Sequence, residues 1–458
     1  MTDLFFERAP DEELRFSGGW PGALAPFAVF LGGVSWLGLS GAPDETGFLP
    51  VLLMALGVGL LLARDREGYA EAVLDGMSHR LVMLLVLAWL LAGVLGTVLQ
   101  ASGLVEALVW AAAVSEVGGG GFVIATFLVC AVFSTATGTS LGTILICAPL
   151  LFPAAAPLGG DPAFTIGAIL AGATFGDNLS PISDTTIASA TTQGADLGGV
   201  VRSRLRYALP AGALAIVVYG VAGGTGPSDV GGVHVTGTPS ALLMLTVPAL
   251  VLVLLLRRSH LAVGLFAGIG AALGLGLLLR RFGPADLLAV DPDAFVASGI
   301  LLDGMSRAFG VSMFTILLMG MVGGLQASGL LRRIVRWMED RARSGSGAGW
   351  WIFTSISLAT ILTTHSAVAI LTVGPLARSL GEESGLDGYR RANILDVTVC
   401  TYPFLLPFFI PTILAASMTG GPGSTAVSPW TAGLYNAHSW GLLLVLLASL
   451  VWPRYATR

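Results

Sequence analysis

The thirteen residues from Thr174 to Thr186 carry two carboxylates, one amide and five hydroxyls, among them Asp177, Asn178, Ser180, Ser183, Asp184, Thr185 and Thr186. They interrupt an otherwise apolar stretch over 162–196. Oxygen donors at this density suit a hard cation, and a carboxylate kept from water also takes up a proton readily. As one straight helix the stretch would run about 52 Å, against ~30 Å of membrane interior. A break is therefore expected, supplied by Gly176 and Pro181, since proline removes a backbone donor and blocks the carbonyl four residues back. Unwound backbone at that depth survives only against protein or a wet cavity. Each aspartate would cost roughly 2.5–3.5 kcal/mol if it faced lipid, and each neighbouring Ile or Leu returns only about 0.3–0.6 kcal/mol. The run must be buried against partners, either as a cation site or as a polar helix–helix contact.

A second broken stretch, Tyr402 to Thr412, keeps prolines (Pro403, Pro407, Pro411) but has no carboxylate. Asn393 and Asp396 lie slightly earlier on the same segment. Asp396 reads as a second titratable site or as an interfacial partner of Arg390 or Arg391. Two further apolar segments, 121–156 and 349–377, contain hydroxyl clusters with Thr137, Thr139 and Ser140 in the first and Thr363, Thr364, His365 and Ser366 in the second. His365 is the one histidine expected at membrane depth, either a proton relay or a hydrogen-bonded packing residue.

The elements that must hold these groups are membrane helices. Apolar residues make up 54% of the 458 and charged residues 11%, less than half the usual share for a soluble domain. Ten spans are expected: 21–40, 47–63, 81–99, 162–196 and 207–223, then 240–256, 261–279, 309–327, 392–417 and 433–452. The segments 121–156 and 349–377 read as helical hairpins that enter and return on one side. That reading places nearly all arginines inside, including Arg202, Arg204, Arg206, Arg390 and Arg391, and leaves only Arg280, Arg281 and Arg307 outside. Both termini then fall on the cytoplasmic side of the cell (inner) membrane.

The chain repeats itself. Asp75-Gly76-Met77-Ser78 returns as Asp303-Gly304-Met305-Ser306, a shift of 228 residues, and Leu99-Gln100-Ala101-Ser102-Gly103-Leu104 returns as Leu325 to Leu330, a shift of 226. Five crossings per copy force the second copy to insert upside down, the usual basis of alternating access. The fold expected is an all-α polytopic membrane protein of two inverted repeats, each with five spans, a re-entrant hairpin and a broken helix. A cytoplasmic segment over 1–20 precedes repeats over 21–230 and 231–458.

Several classes fall away. There is no lysine, and no basic tail to suggest nucleic acid. Cys130, Cys147 and Cys400 lack paired spacing and read as small core residues, not as a metal site or a disulfide. No His-Glu-x-x-His and no strong Ser/His/Asp arrangement points to an enzyme, and no cofactor is expected. The acidic N-terminus lacks the basic start of a cleaved signal, so the first apolar segment is kept as a helix.

Gly176-Asp177-Asn178-Leu179-Ser180-Pro181-Ile182-Ser183-Asp184-Thr185-Thr186 resembles the GD-x-x-SP-x-SDTT signature of the NhaC family of Na⁺/H⁺ antiporters. The Arg390–Asp396 approach, Ser428-Pro429-Trp430 and Leu434-Tyr435-Asn436 are similar to that family as well. The resemblance implies exchange of Na⁺ for H⁺, with Asp177 and Asp184 as the Na⁺ ligands. It leaves open a Na⁺- or H⁺-coupled exchanger of organic acids (malate or lactate type) or amino acids. The absence of Arg and Lys from the expected membrane depth argues against a carboxylate substrate. Relatives of the hairpin scaffold often dimerise, so a homodimer in the bilayer is an expectation of the same resemblance.

Overall fold

The computed structural model describes residues 13–40, 45–107, 110, 118–224, 239–257, 259–291, 295–342, 347–419 and 425–452. Most of the N-terminal segment and the last six residues, with Arg454 and Arg458, lie outside the described residues, as do Arg258 and Arg343. The first half contains α1 (Trp20–Leu39), α2 (Glu45–Leu62), α3 (Arg66–Ser78), α4 (Arg80–Ala101), α5 (Gly119–Thr137), α6 (Ser140–Ala155), α7 (Pro162–Leu179), α8 (Asp184–Gln193) and α9 (Leu197–Ala222). The second contains α10 (Thr246–Leu256), α11 (Leu261–Leu278), α12 (Pro284–Leu287), α13 (Ile300–Ala327), α14 (Leu330–Ala342), α15 (Ala348–Thr363), α16 (Ser366–Glu383), α17 (Gly388–Val399), α18 (Ile410–Ser417), α19 (Pro429–Leu434) and α20 (Ala437–Val451). Among the described residues, seven helices are long and apolar enough to cross a membrane, and four shorter ones are apolar. This is an all-α polytopic membrane protein, apart from one small antiparallel ribbon, β1 (Ala289–Asp291) with β2 (Val296–Ser298).

Two groups of helices form the body. The helices α1–α4, α10, α11 and α13 pack together, and the hairpins and interrupted helices, α5–α9 and α15–α20, form the other group. Each group draws on both halves of the chain. Contact between the groups runs through α4 against α6, α13 against α18 and α10 against α5.

Within the first group, α3 and α4 run antiparallel to α13. A side chain on Gly76 would overlap the Met319 carbonyl, and one on Gly93 would overlap the Gly304 carbonyl. A shift of 226–228 residues carries Gly76 onto Gly304 and Gly93 into 319–321. The contact therefore maps onto itself when the halves are exchanged, as an isologous pairing does. The copies differ in one respect: α3 and α4 are separated at His79, whose backbone is extended (φ −55°, ψ 136°), whereas α13 runs unbroken for 28 residues.

Two helix starts differ from the sequence expectation. α9 begins at Leu197, not 207, because Asp196 caps it by accepting from Gly199 N at 2.8 Å. α13 begins at Ile300, not 309, with Asp303 in its first turn, where a carboxylate suits the helix dipole. In both cases charged residues placed outside a span by hydropathy belong to the helix itself.

Candidate functional site

The polar run of the first half is split as expected. α7 ends at Leu179, residues 180–183 leave helical geometry, and α8 starts at Asp184. Pro181 lies within the break. Gly176 does not: it remains inside α7, where its missing side chain lets α5 approach, and a methyl group there would collide with the Ala131 carbonyl and Thr135 N. The second half breaks after Val399, passes a short 3₁₀ turn at Tyr402–Phe404, and resumes at Ile410 with Pro411 in the first turn of α18. Proline is favoured there because its missing N–H would have no helical partner.

Both polar apolar-flanked segments are helical hairpins. The ends of the first meet, with Gly119 packed on the Gly159 carbonyl, so α5 and α6 start and finish side by side. Its tip is Gly138, left-handed at φ 68°, and Thr139 caps α6 by accepting from Gly142 N at 3.2 Å. The second turns at Thr364, 226 residues on, in the same left-handed conformation at φ 53°. Glycine adopts this freely; a β-branched residue there is strained by about 1–3 kcal/mol. Thr364→Gly should therefore raise thermal stability by about 1 kcal/mol, measured as a higher melting temperature of the purified chain. An unchanged or lower value would show that the tip is not strained.

The tips meet the breaks. Gly138 packs against Ile182, and Ser366 Oγ donates to the Val399 carbonyl at 3.3 Å. Together they enclose a cavity of about 320 Å³, lined by Thr139, Ser140, Asp177, Asp184, Thr185, Thr364, His365, Ser366 and Cys400, with Pro403, Ile410 and Pro411 opposite. Asp177 is 6% exposed, and its Oδ1 is buried without a hydrogen-bond partner. Asp184 stands at the first position of α8, faces the cavity and accepts from Thr185 N at 2.8 Å. His365 Nδ1 is buried and unpartnered as well.

The other sequence candidates sort into three sets. Ser180 and Ser183 are buried within the break, Ser180 accepting from Ile182 N at 3.4 Å and Ser183 bonding Thr185 Oγ1 at 3.1 Å. Thr137 and Thr363 donate to carbonyls four residues back in their own helices, Phe133 O at 2.9 Å and Ala359 O at 2.8 Å. Asn178, Thr186, Asn393 and Asp396 do not line the cavity; they belong to a buried polar cluster beside it.

The centre of that cluster is Arg204, which sequence reasoning placed at the membrane surface. It is fully buried and pairs with Asp396, also fully buried, at 2.8 Å. Its Nε donates to Asn393 Oδ1 at 3.2 Å, Nη1 to Asn178 O at 2.9 Å and Thr186 Oγ1 at 2.7 Å, and Nη2 to Ser189 Oγ at 3.3 Å. Asp396 also accepts from Asn178 Nδ2 at 3.3 Å and Ser189 Oγ at 3.1 Å. Its partner is thus Arg204, not Arg390 or Arg391. Arg390 and Arg391 are buried too: Arg390 donates to Ser449 O at 3.0 Å and Arg391 donates to Gln193 Oε1 at 3.1 Å. Arg204 is thus buried in the protein beside the cavity, where the sequence reading expected no arginine. The signal was helical phase: Arg204 shares the buried stripe of Tyr207, Ala208, Ala211 and Ala215, whereas Arg202 and Arg206 fall on the exposed side. A fully buried histidine was also not singled out by the sequence reading: His438, at the start of α20, packs on Phe175 with ring centroids 5.2 Å apart.

Paired hairpins and paired interrupted helices closing on a carboxylate-bearing cavity define a polytopic helical membrane protein with a polar centre. Residues 22–224, somewhat less than half of the chain, match the model of the Na⁺/H⁺ antiporter family. It is 30% identical over 229 residues to the Na⁺/H⁺ antiporter NhaC of Alkalihalophilus pseudofirmus, covering 48% of this chain and 49% of that one. It is 29% identical over 181 residues to the malate-2H⁺/Na⁺-lactate antiporter of Bacillus subtilis, covering 40% of this chain and 38% of that one. These two matches thus span half or less of the relatives' length. The NhaC antiporter of Bacillus subtilis is 24% identical over 425 residues, covering 87% of this chain and 90% of its own.

Proposed function

We propose that the protein exchanges Na⁺ for H⁺ across the cytoplasmic membrane by alternating access. Asp177 and Asp184, with Thr139, Ser140, Thr185 and Ser366, would bind Na⁺ and protons in turn. A buried carboxylate is costly as a free anion, so either cation relieves it, and competition between the two couples their movement. The family match and the NhaC relatives support this reading.

One observation carries it. The cavity is lined at equivalent positions of the two halves: at a shift of 226, Gly138 pairs with Thr364, Thr139 with His365, Ser140 with Ser366, Asp177 with Pro403, Asp184 with Ile410 and Thr185 with Pro411. The site therefore straddles the relation between halves, repeats over 21–230 and 231–458 that we take as inverted, with re-entrant hairpins. The self-mapping contact of α3 and α4 with α13 supports the inversion, because a twofold relating antiparallel helices lies across them, in the membrane plane. Carboxylates come from the first half alone, so a single cation site on one wall is proposed.

A second reading has its own support. The cavity volume, about 320 Å³, is at the small end of organic-ligand sites and far exceeds a bare cation. The malate/lactate relative suggests an organic anion moving with the cation. Arg204 cannot serve such an anion, since its donors are already engaged. Proteoliposomes holding a pH-sensitive dye separate the two readings. Na⁺ alone should collapse an imposed pH gradient, and K⁺ should not. A response that requires malate, lactate or an amino acid would favour the second reading.

A further inference from the structure

We propose that Arg204 is a built-in counter-cation that keeps Asp396 out of ion exchange, leaving Asp177 and Asp184 as the exchanging carboxylates. The inference deepens the exchange reading and rests on it for the ion ratio, though not for the pairing.

Three acidic groups surround the breaks, and two of them face the cavity. The third, Asp396, has no exposure, and both of its oxygens are occupied: Oδ2 by Arg204 and Ser189, Oδ1 by Asn178 and Cys400. A cation entering from the cavity would find no open oxygen on it. Asp177 presents the opposite arrangement: it lines the cavity, and one of its oxygens, the buried Oδ1, has no hydrogen-bond partner among the described residues.

Arg204 also does what an ammonium could not. Its planar fork reaches the Asn178 carbonyl, left free where α7 ends, the Thr186 and Ser189 hydroxyls on α8, and Asn393 with Asp396 on α17. One side chain from α9 thus holds both sides of the first break to the second half of the chain. Because it fixes Asn178, it positions the neighbouring Asp177. Arg204 is a positioning residue: it touches no transported ion.

The test compares Arg204→Gln, Asp396→Asn and the double substitution in the full-length chain, by melting temperature in detergent and by reversal potential in proteoliposomes, which gives the charge moved per Na⁺. Each single change should lower the melting temperature and reduce flux at least tenfold. The neutral double should regain most of the melting temperature and move the wild-type charge per Na⁺. A double variant that is stable but moves less charge per Na⁺ would make Asp396 an exchanging group and overturn the proposal, as would single variants that melt and transport like the wild type. If the double does not fold, Arg204→Lys decides: it keeps the charge but not the fork, so reduced flux at an unchanged ratio supports the proposal, and an altered ratio overturns it. Wild-type vesicles that show no Na⁺-driven proton movement would defeat the exchange reading by themselves, and the melting temperatures would still judge the pairing.

Discussion

Asp177→Asn should abolish Na⁺-driven proton movement and weaken Na⁺ binding by about a thousandfold. A unit charge about 4 Å from the ion contributes ~4 kcal/mol at an effective dielectric constant of 20, and each 1.4 kcal/mol is a factor of ten. Asparagine keeps the shape and loses the charge. The fold should tolerate it, because Asp177 Oδ1 makes no hydrogen bond that the substitution would remove. Asp184→Asn should bind Na⁺ more weakly by a smaller factor, since Asp184 faces the open cavity, where water screens it. Na⁺-dependent melting shifts and dye-reported proton flux measure both. An Asp177→Asn protein that exchanges at the wild-type rate would remove the site from the first break altogether.

Arg204→Met should cost about 3–5 kcal/mol of stability, the usual penalty for breaking a buried ion pair by removing one partner. The cost arises on the side left behind. Asp396 would remain fully buried, with Asn178, Ser189 and Cys400 as its remaining donors among the described residues. The carbonyl of Asn178 and the hydroxyl of Thr186 would lose their donor in the same step. The buried pair is not itself a source of great stability, because taking two charges out of water is expensive. Methionine at 204 with leucine at 396 should therefore recover much of the loss. A melting temperature for Arg204→Met within a degree of the wild type would mean that the cluster is wet.

Much of the site was legible because its elements obey local rules. Pro181 and Pro403 fall in the breaks, but proline alone did not mark them, since Pro26, Pro50, Pro149, Pro210 and Pro375 lie inside helices; the stronger signal was a run of carboxylates and hydroxyls between apolar residues, which could only face protein or water. The hairpin turns were marked by hydroxyl clusters within segments too long for one span. Arg204 was not legible by the same rule. Hydropathy averages over a window, and Arg202, Arg204 and Arg206 lower it together. Only the rotation of α9 tells them apart: one of the three turns inward along the alanine stripe while its neighbours stay exposed. Asp396 was assigned the wrong arginine for a related reason. Arg390 and Arg391 are near in the chain, but they point to the Ser449 carbonyl and to Gln193.

The sequence by itself determined that this is a membrane chain with repeated segments, two interrupted helices, two polar hairpins and one dense oxygen cluster, because composition and short motifs act locally along the chain. Only the tertiary structure decided which polar groups share the cavity and which are consumed in holding it. Asp177 and Asp184 open onto it, while Asp396, Asn178, Asn393 and Thr186 are tied to Arg204 beside it. That division depends on helix rotation and on contacts between residues some two hundred positions apart, and a hydrogen bond at that range is fixed by packing rather than by spacing.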